Sequence, residues 1–354
     1  MHLVCFERIP HRPAWLLPAR RKSRGADRAG FDTVELGRPG VRRLGALLRD
    51  GPRAGDVVDL NRALAARLAR GDAGAPEAEA DSLLPSDPLA FLRSFERGCS
   101  AARHALDFAE EALERWAPEE LLREGILQAQ QEVRLCAPVP RPGKVIGVAR
   151  NYGAHAAERG GSAPAEPVLF LKATTAVVGP RDAIVLPDAS QRVDYEGELA
   201  AIVGRPARDV GEADALAHVA GYSVANDVTA RDFQHVRGQH FIGKSCDSFC
   251  PLGPALVVDP DLDPQDLGLS TVLSGRPVQS TRTKEMIFSV AELVAFASRL
   301  MTLEPGDVIL TGTPAGVGAA RRPPRWLRDG DVVEVEIESI GRLTNPVRRP
   351  GRSE

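Results

Sequence analysis

The sequence predicts an α+β protein in two parts. A small α/β N-terminal domain covers residues 1–137, a larger domain built on a mixed or rolled sheet covers 138–348, and a short tail covers 349–354. Three observations predict this. From Asn61 to about Glu124 the chain is Ala-rich with helical periodicity, whereas beyond Lys144 it breaks into short β-rich runs punctuated by Gly, Pro and Asp. Between these textures lies CAPVPRPGK at 136–144, a Pro-rich connector. Only a few helical segments interrupt the later runs, which is the pattern of an α+β domain dominated by its sheet.

In order along the chain, MHLVCF reads as a strand. PARRKSRGADRAG, within 8–42, is Arg- and Gly-rich without periodicity and reads as a surface insertion; such a basic run either is simply solvated or contacts an acidic partner. RRLGALL and VVDL flank the turn residues DGPRAGD, a hairpin signal. AARHALDFAEEALERWA places Leu106, Ala109, Leu113 and Trp116 at three- and four-residue intervals and predicts a helix, on which His104 is a surface or packing residue. KVIGVA, VLFLK, AIVL, ELAAIVG, GYSVAND, PALVV, DVILTG and DVVEVEIESIG supply the strands. Helices fall near DVGEADALAHVA, TARDFQ and SVAELVAFASRLM, the last with Ser289 and Glu292 at capping-box spacing.

Composition narrows the function classes. Across 354 residues, 43% hydrophobic and 26% charged content are ordinary for a soluble globular protein, and a formal charge of −3 gives no reason to expect a nucleic-acid partner. No apolar run approaches the ~18 residues of a membrane helix, and the N-terminus lacks a secretory pattern. The five cysteines, Cys5, Cys99, Cys136, Cys246 and Cys250, are scattered. Cys246 and Cys250 have no second pair, so reduced thiols are expected rather than zinc. A cytoplasmic protein follows by default. There is no internal repeat, no G-x-G-x-x-G after a first strand, no P-loop and no G-x-S-x-G.

The chemistry concentrates elsewhere. In VDYEGELA, Glu196 and Glu198 sit two apart, so in a strand they share a face with Cα atoms ~7 Å apart. Two bare carboxylates ~5 Å apart repel by about 3 kcal/mol at an effective dielectric of 20. Such a pair persists on a wet strand edge, or around a cation. Asp227, at the end of GYSVAND, is by itself an N-cap for the following helix; with the two glutamates it completes an oxygen donor set suited to Mg²⁺ or Mn²⁺ rather than zinc. Lys244, in FIGKSCDSFCPLGP, would offset the charge that three carboxylates leave on a divalent ion, or would pair with Asp247 on a surface turn. His155 and Glu158 in ARNYGAHAAERGG lie on one face of a helix, as a catalytic base with its orienting carboxylate or as a surface salt bridge. LEPGDVILTGTPAGVG leads a strand into a Gly- and Thr-rich loop, where Thr313 and backbone N–H groups could grip an anion.

Taken together, RNYGAHAAE, PVLFLKATTAVVGPRDAIVLP, VDYEGELAAIVGR, VAGYSVANDVTARDFQ, GKSCDSFCPLGP, TKEMIFSVAELVAFAS and TLEPGDVILTGTPAGVG occur in an order that resembles the fumarylacetoacetate hydrolase family, from Lys144 to Val347. RLGALLRDG with VVDL is similar to the small N-terminal domain of its single-chain bacterial members. The resemblance implies a mixed β-sandwich roll, usually paired as a homodimer. It implies Glu196, Glu198 and Asp227 as ligands of Mg²⁺ (or Mn²⁺), and His155 with Glu158 as the base dyad on a lid segment. It places Tyr152, Arg231, Gln234, Lys244 and Thr313 near the oxygens of a small-molecule 2-oxo or 2,4-dioxo acid. Arg150 stands where the eukaryotic enzymes of that name carry a further aspartate ligand, so the chain resembles the three-carboxylate subgroup acting on acylpyruvates. The short segment HVRGQHFIG brings His235 and His240 toward the expected pocket.

The activity so implied is metal-dependent hydrolysis of a C–C bond in a 2,4-dioxo acid, acylpyruvate or fumarylpyruvate-like. His155 would activate water, while the metal and Lys244 stabilise the departing enolate. Within the same fold, a 2-oxo-diacid decarboxylase or a 2-hydroxyhepta-2,4-diene-1,7-dioate isomerase would use the same groups. Outside enzymology, a metal-stabilised scaffold that binds a partner through the basic insertion is the remaining alternative. No nucleic-acid or membrane partner is expected.

Overall fold

Burial along each strand shows where the sheets lie. GELAAIV, the strand Gly197–Val203, is buried at every position, the mark of a strand covered on both faces. The structure is a computed structural model that describes residues 1–9, 42–71, 74–158, 160–234 and 239–349. Most of the Arg-rich insertion, His235 and the tail beyond 349 lie outside them.

Gly197–Val203 is central in a mixed sheet of twelve strands among the described residues. On one side it pairs antiparallel with Val219–Asn226, which pairs in turn with Cys250–Val257. On the other it pairs antiparallel with Val308–Leu310, which runs parallel to Val145–Ala149, and Val168–Lys172 forms that edge. A second sheet orders Arg276–Arg282, Gly268–Leu273, Val332–Ile337, Gly341–Arg348 and Ile184–Val185. Gly268–Leu273 and Val332–Ile337 alternate between buried and partly exposed positions, as expected of strands with one face on a core. These two sheets form the sandwich, and the fold is α+β as the sequence predicts.

The sheets approach so closely at Gly197 that a Cβ there would lie 2.2 Å from Thr271 Oγ1 and 3.0 Å from Val335 Cγ1. The glycine between the two glutamates is therefore a packing requirement. Glu196 itself lies just before the strand, and Glu198 within it.

The N-terminal strand His2–Arg8 forms the predicted hairpin neighbourhood: it pairs with Arg43–Leu47, which pairs with Val57–Asp59. It also pairs antiparallel with Cys250–Val257, Leu3 opposite Leu256. One sheet thus runs through both parts of the chain.

The predicted long helix is Phe95–Arg115, with a different buried face from the one its large residues suggest. Gly98, Ala101, Ala102, Ala105, Ala109 and Ala112 are buried, while Leu106, Leu113 and Trp116 are only partly so. Small residues let the neighbouring helix Leu60–Ala69 approach, and the larger ones flank the contact. His104 is exposed. The helix expected in DVGEADALAHVA is a single turn, Glu212–Ala215, followed by a 3₁₀ turn; that in TARDFQ is Arg231–Gln234. Val290–Leu300 carries the full capping box: Ser289 Oγ accepts the Glu292 N–H at 3.2 Å, and Glu292 Oε2 accepts the Ser289 N–H at 2.7 Å. All five cysteines are free. No helix of the described residues is long and apolar enough to cross a membrane.

Candidate functional site

Register brings the acids together. Gly197 pairs with Asn226 across the central strands, so Glu196 and Asp227 fall at the same strand end, and the Asp227 N–H bonds the Glu196 carbonyl at 2.8 Å. Carboxylate oxygens of Glu196, Glu198 and Asp227 lie within 4.8 Å of one another, and the three residues are 4%, 1% and 1% exposed. The wet-edge alternative for the glutamates is thereby excluded. Asp227 does not cap a helix; its side chain is engaged by two lysines.

Three buried cations face these acids. Arg231 donates from Nη2 to Glu196 Oε1 at 2.5 Å, from Nε to Asp194 Oδ2 at 3.0 Å and from Nη1 to Gln234 Oε1 at 3.3 Å. Lys244 donates to Glu196 Oε2 at 2.6 Å and to Asp227 Oδ2, so it is no surface partner of Asp247. Lys172 donates to Asp227 Oδ1 at 2.5 Å and to the Val228 carbonyl at 3.3 Å. Four acids, with Asp194 counted, thus face three bases, leaving one negative charge in excess.

That excess falls on Glu198, whose partner among the described residues is the Gly312 N–H at 2.7 Å. Burial, then the Asp227 and Glu196 charges, push its carboxyl well above the usual carboxylate range. Glu196, equally buried, is instead held below that range, because Arg231 and Lys244 outweigh its desolvation. A buried, underpaired carboxylate within a set of hard oxygen donors is what a divalent cation would satisfy, and the residues present fit one.

His155 and Glu158 lie on the short helix Gly153–Glu158. Nδ1 of His155 is 2.8 Å from Glu158 Oε1, and His155 is 6% exposed. Glu158 is fixed from the Gly-rich loop, where the Gly316 N–H donates to Oε2 at 3.0 Å. Gly316 sits at φ 108°, and a Cβ would fall 2.1 Å from the Val278 carbonyl oxygen. The loop N–H groups expected to grip an external anion therefore hold the protein's own carboxylates, Glu198 and Glu158. Thr313 donates to the Gly197 carbonyl at 3.0 Å and accepts from Gln279 Nε2 at 2.8 Å.

A cavity of about 280 Å³ opens here, lined by His155, Glu196, Arg231, Gln234, Lys244 and Thr313 together with Val148, Ala149, Arg150, Phe170 and His240. Tyr152, Glu158, Glu198 and Asp227 are not part of this lining. Tyr152 is 2% exposed, and its hydroxyl is buried without a hydrogen-bond partner among the described residues; burial, then Glu198, raise its pKa. His240 stacks on Phe170 at 5.1 Å and bonds Gln234 Nε2 at 2.9 Å.

Sequence reasoning missed Lys172, Asp194 and Asn151. Lys172 ends VLFLK and looks like the polar tip of a strand, yet it is 2% exposed. Asp194 accepts the N–H groups of Gly318 and Ala319 at 2.7 and 3.0 Å while holding Arg231. The available signal was a third acid in VDYEGE, two positions before Glu196.

Residues 144–348 match the family model described as fumarylacetoacetate (FAA) hydrolase, C-terminal. The mitochondrial oxaloacetate tautomerase fahd2 of Xenopus laevis is 40% identical over 308 residues, 86% of this chain and 86% of that protein. Human mitochondrial oxaloacetate tautomerase FAHD2A is 44% identical over 270 residues, 75% of this chain and 81% of its own. Among solved structures, 2-hydroxyhepta-2,4-diene-1,7-dioate isomerase from Mycobacterium marinum aligns with a TM-score of 0.57 at 46% identity, over 64% of this chain and 82% of that one. A fumarylacetoacetate hydrolase from Exiguobacterium antarcticum aligns with a TM-score of 0.66 at 37% identity, over 88% and 97%.

Proposed function

Since the chain belongs to the fumarylacetoacetate hydrolase family, we propose that it is a divalent-cation-dependent enzyme that moves a proton on a 2-oxo acid, interconverting the enol and keto forms of an oxaloacetate-like substrate. The observation that carries this reading is one cavity lined by a carboxylate-held imidazole, a buried lysine and Glu196, the member through which a buried carboxylate triad reaches it. The names of the relatives at 40% and 44% identity support a tautomerase over the C–C hydrolase that the sequence favours.

Glu196, Glu198 and Asp227 would hold the ion, Mg²⁺ or Mn²⁺. When bound it supplies a Lewis acid for the 2-oxo oxygen and the 1-carboxylate. Arg231, fixed by Asp194, and Gln234 orient the substrate oxygens, with Thr313 on the same wall. Glu158 sets His155 with Nδ1 as donor and leaves Nε2 basic. Toward the keto form, Nε2 of His155 takes the enol proton as the O–H bond breaks and delivers it to C3, where the C2–C3 π pair forms the C–H bond and the oxygen pair forms the 2-oxo bond. In reverse, His155 removes that proton, and the negative charge spreading to the 2-oxygen is stabilised by the Lys244 ammonium.

Hydrolysis stands as the second reading, favoured by the same dyad, which can equally take a proton from water, and by likeness to the Exiguobacterium enzyme. Both are tested by mixing Mg²⁺- or Mn²⁺-loaded protein with enol-oxaloacetate and following loss of enol absorbance, and by assaying pyruvate release from an acylpyruvate. Ketonisation well above the buffer rate, with little pyruvate release, is expected. Pyruvate release without accelerated ketonisation reverses the choice, and neither activity removes the reading.

A further inference from the structure

Arg150 is a cavity residue that this proton transfer does not use. It lines the wall beside Ala149, His155, Phe170 and His240. Its backbone lies at φ 57°, a left-handed conformation that strains a residue bearing a side chain. The next residue is held on every side. Asn151, fully buried, donates from Nδ2 to the Thr311 and Phe288 carbonyls at 2.7 and 3.0 Å and accepts the Phe288 N–H at 2.8 Å. Its own carbonyl accepts the Ile287 N–H at 2.8 Å. Strain held so firmly beside a cavity is a functional signal.

The guanidinium of Arg150 has no hydrogen bond or ion pair among the described residues, although Arg231 and Lys244, the other cations of the lining, are both bound to carboxylates. One Nη lies 3.5 Å from where a Cβ on Gly161 would sit, just past the helix bearing the dyad. Burial, then Lys244, lower the His240 pKa against Glu196 and Asp227, which raise it, and Arg150 adds to the lowering.

Charge balance says what an unpaired arginine here is for. The buried cluster has one negative charge in excess, and a divalent cation reverses it to one positive. A single substrate carboxylate neutralises that; the Glu158 charge faces His155 and the Gly316 N–H. A second carboxylate would be left uncompensated unless another cation met it.

We propose that Arg150 binds the second carboxylate of a 2-oxo dicarboxylic acid and makes the site select diacids over monoacids. Its planar fork suits bidentate pairing with a carboxylate. The substrate class rests on the proton-transfer reading above, but the arginine can be tested apart from it.

The test uses Mg²⁺-loaded wild type, Arg150→Met and Arg150→Lys. C3 proton–deuterium exchange is measured by NMR on oxaloacetate and on 2-oxobutanoate. Calorimetric titration is run in parallel with two non-enolisable ligands, 3,3-difluoro-oxaloacetate and trimethylpyruvate. Arg150→Met should lower the diacid-to-monoacid ratio of kcat/KM by about 10- to 100-fold, mainly through KM, as expected for a lost charge-assisted hydrogen bond. Arg150→Lys should recover part of it. A ratio within about twofold of wild type overturns the proposal. If wild type exchanges neither substrate, the catalytic reading fails and calorimetry decides for Arg150. A diacid preference lost in Arg150→Met upholds the assignment; a preference that survives, or none in wild type, overturns it.

Discussion

At the residue scale, the legible part of the site was its charge. Glu196 and Glu198 announce themselves because like charges two apart on an apolar strand need a reason, and the reason here is burial in one carboxylate set with Asp227. Lys244 and Asp227 each had a plain local alternative, a turn pair and a helix cap. Only tertiary contact excludes these. Lys172 and Asn151 were illegible for the same reason: a strand-end lysine and a loop asparagine look solvated until the partners are known, 55 and 160 residues away. The dyad is the residue pair most open to test. His155→Ala and Glu158→Ala should each lower kcat by about 10²–10⁴, with cation affinity little changed. The double variant should be scarcely worse than the worse single one, since the two act as a unit. Steady-state kinetics on the four proteins checks this, and losses that multiply would show two independent roles.

Among elements, the working parts are too short to stand alone. Gly153–Glu158 has six residues and Arg231–Gln234 four, far below the ~12 at which an isolated helix becomes even marginal. Their positions come from the clamps around them: Glu158 on Gly316, Arg231 on Asp194, and Asn151 on the bend at 287–288 and on Thr311. Periodicity finds long helices and capped ones such as Val290–Leu300, but such single turns carry no periodic signal. It also misassigns a face when the contact is made by alanines, as in Phe95–Arg115. The Asn151 clamp gives a quantitative test. Asn151→Leu leaves two carbonyls and an N–H without their side-chain partner, at about 1–3 kcal/mol for a buried unpaired group. A loss of about 3 kcal/mol in denaturant unfolding is therefore expected. A loss below about 1 kcal/mol would mean that the segment is held in place by something else.

For the whole molecule, sequence texture led to the expectation of two regions with a rolled sheet in the second, and the family resemblance carried the sandwich. Neither revealed that one sheet runs through both. The pairing of Leu3 with Leu256 joins positions far apart in the chain, and local pattern holds no information about such register. The packing of the second sheet against Gly197 is equally non-local, yet it explains why a glycine separates the two glutamates. The molecule thus buries an acid set beneath one cavity, leaving Glu198 underpaired. Calorimetric titration of EDTA-stripped protein with Mg²⁺, and then Mn²⁺, alongside thermal unfolding, tests this most directly. One site per chain is expected, with an unfolding midpoint that climbs as the ion is added. Affinity should weaken as pH falls, because the ion competes with the proton that burial and neighbouring acids hold on Glu198. Glu198→Ala should abolish binding, yet melt no lower than the metal-free wild type, since the underpaired charge is gone. Metal-free protein with full activity, or ion binding unchanged in Glu198→Ala, would contradict the cation site.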